Sequence, residues 1–120
     1  FRVEEMHLIA AETSLRAGNS SDALSYLNNI PAIRGLGADY YASATLENIL
    51  EERRKEFAFE GLRFHDLSRM GMDMPQIDSF KQLNDDLTGT PPTYGSHRYA
   101  YPIALAERNA NPNMVQNYGY

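Results

Sequence analysis

The chain has 120 residues, with 16 Asp+Glu against 11 Lys+Arg and a formal net charge of −5. At 42% hydrophobic and 22% charged residues it has the make-up of a single globular domain and not of a disordered segment. The acidic balance argues against nucleic acid and anionic membrane surfaces, which both select basic patches, and the lack of cysteine removes disulfides, thiol catalysis and zinc–thiolate sites.

No apolar run approaches the roughly 20 residues that a membrane span requires. The sequence opens at Phe1 already in helical period, with no targeting signal ahead of it, so it is expected to be a piece of a longer protein. Residues 1–17 predict a first helix with two apolar stripes. One holds Val3, Met6, Ile9, Ala10 and Ala17, the other Phe1, Leu8, Ala11 and Leu15. Two stripes imply packing on two sides. The second is expected to be spare and covered by residues upstream of Phe1. Gly18 fits the position just past a helix end. Ser20 or Ser21 is expected to cap a second helix carrying Ala23, Leu24, Leu27 and Ile30, with Pro31 near its end. The connection is so short that the two helices, about 2–17 and 21–33, must be antiparallel neighbours, a tetratricopeptide-like pair.

Residues 34–43 predict a loop bearing the exposed-looking pair Tyr40-Tyr41. Thr45 is the expected N-cap of a third helix over about 46–60, with Leu46, Ile49, Leu50, Phe57 and the stem of Arg53 on one face. Leu62, Phe64, Leu67 and Met70 suggest a short fourth helix ending at Gly71. From residue 72 to 101 the period is lost among Pro75, Gly89, Pro91-Pro92 and Gly95, with one helical turn expected near residues 80–83. Residues 98–103 suggest a short extended segment and 104–108 a last helical turn before a polar tail. The class is all-α, with a long irregular C-terminal segment.

Few residues point to chemistry. Glu4 and His7 have the Glu-x-x-His spacing of a di-iron site, which requires a second such motif that the chain lacks. His65 and Asp66 are neighbours on a helix and face apart. There is no Gly-x-Ser-x-Gly elbow and no glycine-rich phosphate loop. The reading is therefore a protein that is not an enzyme and takes no metal or cofactor. Arg53, Glu60, Arg63 and Asp66 are candidates for a structural polar network at the corner of helices three and four, because a charge beside an apolar stripe must be paired. Tyr40, Tyr41, Tyr94, Tyr99 and Tyr101 fall in loops, where binding residues gather, and tyrosine offers a stacking face with a polar tip. Of these, Tyr40, Tyr41 and Tyr94 are the carbohydrate-binding candidates. The competing role is to pin the long loop to the helices.

Three segments together resemble the C-terminal part of the SusD/RagB family. They are Arg2-Val3-Glu4-Glu5-Met6-His7-Leu8-Ile9-Ala10-Ala11-Glu12 with Ala17-Gly18; Ile49-Leu50-Glu51-Glu52-Arg53-Arg54-Lys55-Glu56-Phe57-Ala58-Phe59-Glu60-Gly61 with Arg63 and Asp66-Leu67; and Tyr101-Pro102-Ile103 followed by Asn109-Ala110-Asn111-Pro112-Asn113, Gln116-Asn117 and Gly119-Tyr120. The resemblance implies a helical scaffold in a lipoprotein on the extracellular face of the outer membrane. Such a protein binds oligosaccharides without chemistry and serves a SusC-like TonB-dependent transporter. Its only membrane attachment would be a lipid anchor absent from this sequence. The family's sugar-binding aromatics lie mostly outside these motifs, so no binding residue is carried over. The alternative is a generic helical-repeat module for protein–protein interaction, with no small ligand.

Overall fold

Every regular element among the described residues is helical, in keeping with the predicted all-α class. The computed structural model describes residues 2–75 and 92–120. Phe1 and the turn expected at residues 80–83 lie outside the described residues. Two units are distinguished, Phe1–Arg63 and Phe64–Tyr120.

In the first unit, α1 (Val3–Arg16) and α2 (Ser20–Ile33) pack along each other across the three-residue connection, and α3 (Leu46–Glu56) lies mainly against α1. The α1 end shows why the connection is so tight. Gly18, at φ 82°, donates its N–H to Leu15 O (3.0 Å), and Asn19 N–H reaches Ser14 O (2.8 Å). This pair of bonds satisfies orphan carbonyls only when the residue past the cap is left-handed, a conformation that suits glycine. The same pattern closes α2, through Gly35 N to Ala32 O and Leu36 N to Pro31 O, and α4 (Arg63–Arg69), through Gly71 N to Ser68 O and Met72 N to Leu67 O.

The core of this unit is Leu8, Ala11, Leu27, Ile30, Ile49 and Phe57, with Leu15, Tyr41, Ala44 and Leu62 packed around it. This reverses the expected use of the α1 stripes. Leu8 and Ala11 are fully buried, so their stripe is the core face and needs no upstream cover, whereas Val3 (70% exposed), Met6 and Ile9 face outward. The physical reason is that α2 and α3 both approach α1 on the Leu8 side.

Two end assignments also change. Asn19 takes the N-cap position of α2, without a side-chain bond, and Ser20 is already the first helical residue. The predicted third helix, about 46–60, stops at Glu56. Beyond it Ala58 N and Glu60 N bond three residues back, and Phe59 turns left-handed at φ 66°. The chain turns there as Phe57 enters the core, 4% exposed. Thr45 does cap α3, its hydroxyl oxygen accepting from Asn48 N at 3.1 Å.

The second unit holds α4 from Phe64 to Arg69, a 3₁₀ turn (His97–Tyr99) and α5 (Leu105–Ala110). The extended segment expected at 98–103 is therefore partly wrong: Arg98 and Tyr99 sit in the 3₁₀ turn, held by Tyr99 N to Ser96 O and Ala100 N to His97 O, and extended backbone resumes at Ala100. The polar tail is tied down by its own side chains. Gln116 pairs with both backbone groups of Ile103, accepting from its N (2.8 Å) and donating to its O (3.1 Å), as a strand neighbour would. Asn117 donates to Tyr101 O (2.7 Å) and the Tyr120 hydroxyl to Ala100 O (2.8 Å). Gly119, at φ 91°, lies so close to the His97 ring that a Cβ would overlap it. Gly119→Ala is expected to cost the second unit roughly 1–3 kcal/mol through backbone strain and overlap. Faster hydrogen exchange across residues 97–103 and 116–120 would register it.

Candidate functional site

The first unit has an open cleft of about 650 Å³ between α2 and the 34–45 loop. Helical spacing puts Ser21, Leu24, Ser25 and Asn28 on one face of α2, and Asp39 and Tyr41 supply the facing wall. Asn28 holds that wall in place. It is buried, it accepts from Tyr41 N (2.9 Å) and it donates to Tyr41 O (3.0 Å), so one amide satisfies both backbone groups of an otherwise irregular loop.

Of the predicted tyrosines, Tyr41 lines the cleft and Tyr40 does not, and the two rings meet edge to face with centroids 4.9 Å apart. Tyr40 is exposed, whereas Tyr41 is half-buried against the core, so the pair is not uniformly exposed as the sequence suggests. The Tyr41 hydroxyl donates to Glu52 (2.8 Å) and accepts from Lys55 (3.3 Å), whose ammonium also lies over both rings, 5.5 and 5.7 Å from their centroids. Burial first, and the bond to Glu52 next, push the Tyr41 hydroxyl up to about 12. Raised from the ordinary 10.0, this group contributes stability that is complete below pH 10 and lost as the pH climbs through about 12. In an ultraviolet titration Tyr41 is expected to ionise late, and Tyr41→Phe should remove that last component. A titration unchanged by the substitution would refute the assignment.

Tyr94 belongs to the second unit. Its N–H donates to Asp73 (2.7 Å), and its ring meets Tyr99 edge to face at 5.6 Å. Tyr99 shows the pinning role, its hydroxyl donating to Met72 O, and its ring lies 5.6 Å from Phe64. Tyr101, 78% exposed, lies 5.9 Å from Phe64.

Each residue expected in a polar network is placed by charged or aromatic neighbours. Arg53 is buried on α3 with its guanidinium 5.3 Å from the Phe57 centroid. Glu60 pairs with Arg2, Asp66 is buried and pairs with Arg69 (2.8 Å), and Arg63 opens α4, its charge helping to hold Glu51 below the usual carboxylate range after the stronger bond from Arg54. An ion cluster absent from the sequence reading centres on Glu56, whose side chain is 6% exposed and accepts from both Arg2 and Arg34. Glu4 joins it through the same two arginines, while His7 lies 3.4 Å from the Asn29 amide. Among the described residues no group of three metal-ligating side chains occurs.

Serines and an asparagine at four- and three-residue spacing on α2 were the available signal for the cleft, but its other wall is 10 residues and more away in the chain. Glu56 carried no signal, since Arg2 and Arg34 reach it across 54 and 22 residues.

Over all 120 residues the chain is 32% identical to the protein named starch-binding protein SusD of Bacteroides thetaiotaomicron, and it spans 21% of that relative's length. The SusD family model matches residues 1–120, the whole chain, and the chain therefore belongs to the SusD family.

Proposed function

We propose that the natural protein carrying this chain is a non-catalytic glycan-binding protein on the extracellular face of the outer membrane, delivering oligosaccharides to a SusC-like TonB-dependent transporter. The observation that supports this most is the match of all 120 residues to part of a relative named for binding starch. Within that protein these 120 residues act as helical scaffold. Arg53, Glu60, Arg63 and Asp66 serve structure and not ligand, and Tyr40, Tyr41 and Tyr94 are the aromatics available for sugar contact.

Calorimetry of the natural protein against a panel of neutral oligosaccharides tests the reading. Binding is expected there, whereas the isolated 120 residues should bind no more tightly than the millimolar range, about −4 kcal/mol. Absence of binding to the whole panel by the natural protein would overturn the proposal. Micromolar binding by the isolated chain would show that the principal site lies within it. The second reading, a helical-repeat module for protein–protein contact, draws on the outward stripe of Val3, Met6 and Ile9.

A further inference from the structure

We propose that the cleft between α2 and the 34–45 loop is a subsite for one or two units of an uncharged sugar, an inference that rests on the glycan-binding reading above. Three observations on the first unit carry it. The first is shape. A cleft of about 650 Å³ falls within the range of small-molecule sites, and its openness suits a ligand that is part of a longer chain.

The second is the chemistry of the lining. The side chains of Ser21, Ser25 and Asp39 make no hydrogen bond or ion pair among the described residues, so two hydroxyls and a carboxylate face the cleft with their capacity unspent. Hydroxyls both donate and accept, and a carboxylate accepts from two neighbouring hydroxyls at once. That combination matches the vicinal hydroxyls of a sugar. Leu24, Ala38, Ala42 and Tyr41 give the apolar surface on which a sugar's C–H groups rest. Asp39 is the single formal charge in the lining, and it disfavours uronic or sulfated sugars by repulsion.

The third is rigidity. Asn28 fixes the Tyr41 backbone, and Glu52 with Lys55 fixes its hydroxyl. The wall is therefore set before a ligand arrives, and little ordering cost falls on binding. The other side is a helix. Tyr41 consequently contributes its ring and not its hydroxyl, which is already engaged on α3.

Hydrogen-exchange mass spectrometry on the natural protein, with maltose as the probe and glucuronic acid as the charged control, locates the site without any substitution. Maltose is expected to slow exchange in peptides covering residues 21–29 and 38–42, and glucuronic acid to leave them unchanged. Asp39→Ala should weaken maltose binding about tenfold, the loss of a charge-assisted hydrogen bond, and Ser25→Phe should fill the cleft and abolish protection there. Both positions are exposed, so neither change is expected to disturb folding. If the protein binds maltose with no protection in these segments and both variants bind normally, the subsite is refuted while the glycan-binding reading stands. If the protein binds no sugar of any kind, both fall. Equal protection by glucuronic acid would overturn the assignment of an uncharged ligand.

Discussion

Leu8→Ala is expected to lower the unfolding free energy by about 3 kcal/mol, while Val3→Ala on the same helix should change it by less than about 0.5 kcal/mol. Leu8 is fully buried with Ala11, Leu27, Ile30 and Ile49 around it, so truncation both loses transfer energy and leaves a cavity. Val3 is 70% exposed, and alanine is the better helix former. Urea denaturation of the two variants decides between the stripes. A larger loss at Val3 than at Leu8 would mean that the outward stripe is the core face and that the packing described above is inverted.

Periodicity showed both stripes of α1 and the length of α2 to within a residue or two, because each signal is local. It did not say which stripe meets the core. That depends on the side from which α2 and α3 approach, and the side is set by the Gly18 turn and by Phe57 entering the core some 40 residues further on. The Thr45 cap was legible for the same reason that the α3 end was not. A cap is a contact three residues long, whereas the stop after Glu56 follows from the tertiary pull on Phe57 and the left-handed Phe59. The tail motif Tyr101-Pro102-Ile103 with Gln116-Asn117 could be recognised as a pattern. Its physical content, a glutamine standing in for a strand partner, appears only when the two segments are side by side. The cleft is intermediate. The polar face of α2 can be read in sequence, but the loop wall that makes it a site cannot.

Arg53→Ala is expected to cost roughly 2–4 kcal/mol, the range for removing one member of a buried charged arrangement. Arg53 is 7% exposed on the face of α3 that also carries Ile49 and Leu50. Its guanidinium and that of Arg2 lie 5.3 and 5.5 Å from the centroid of Phe57, itself 4% exposed. Alanine removes three things together: the aliphatic stem that covers the core, the cation–π contact, and a charge whose surroundings are built to receive it. Arg53→Met separates them, since it keeps most of the stem and no charge. If packing dominated, methionine would restore nearly all the lost stability. We expect it to restore less than half, because the guanidinium is the group that lies over the Phe57 ring. Arg53→Lys keeps the charge but loses the planar guanidinium, and should fall between the two. Equilibrium unfolding of the three variants, compared at one pH and salt concentration, gives the ordering. A loss below about 1 kcal/mol for Arg53→Ala would instead make Arg53 a passive cover at the edge of the core.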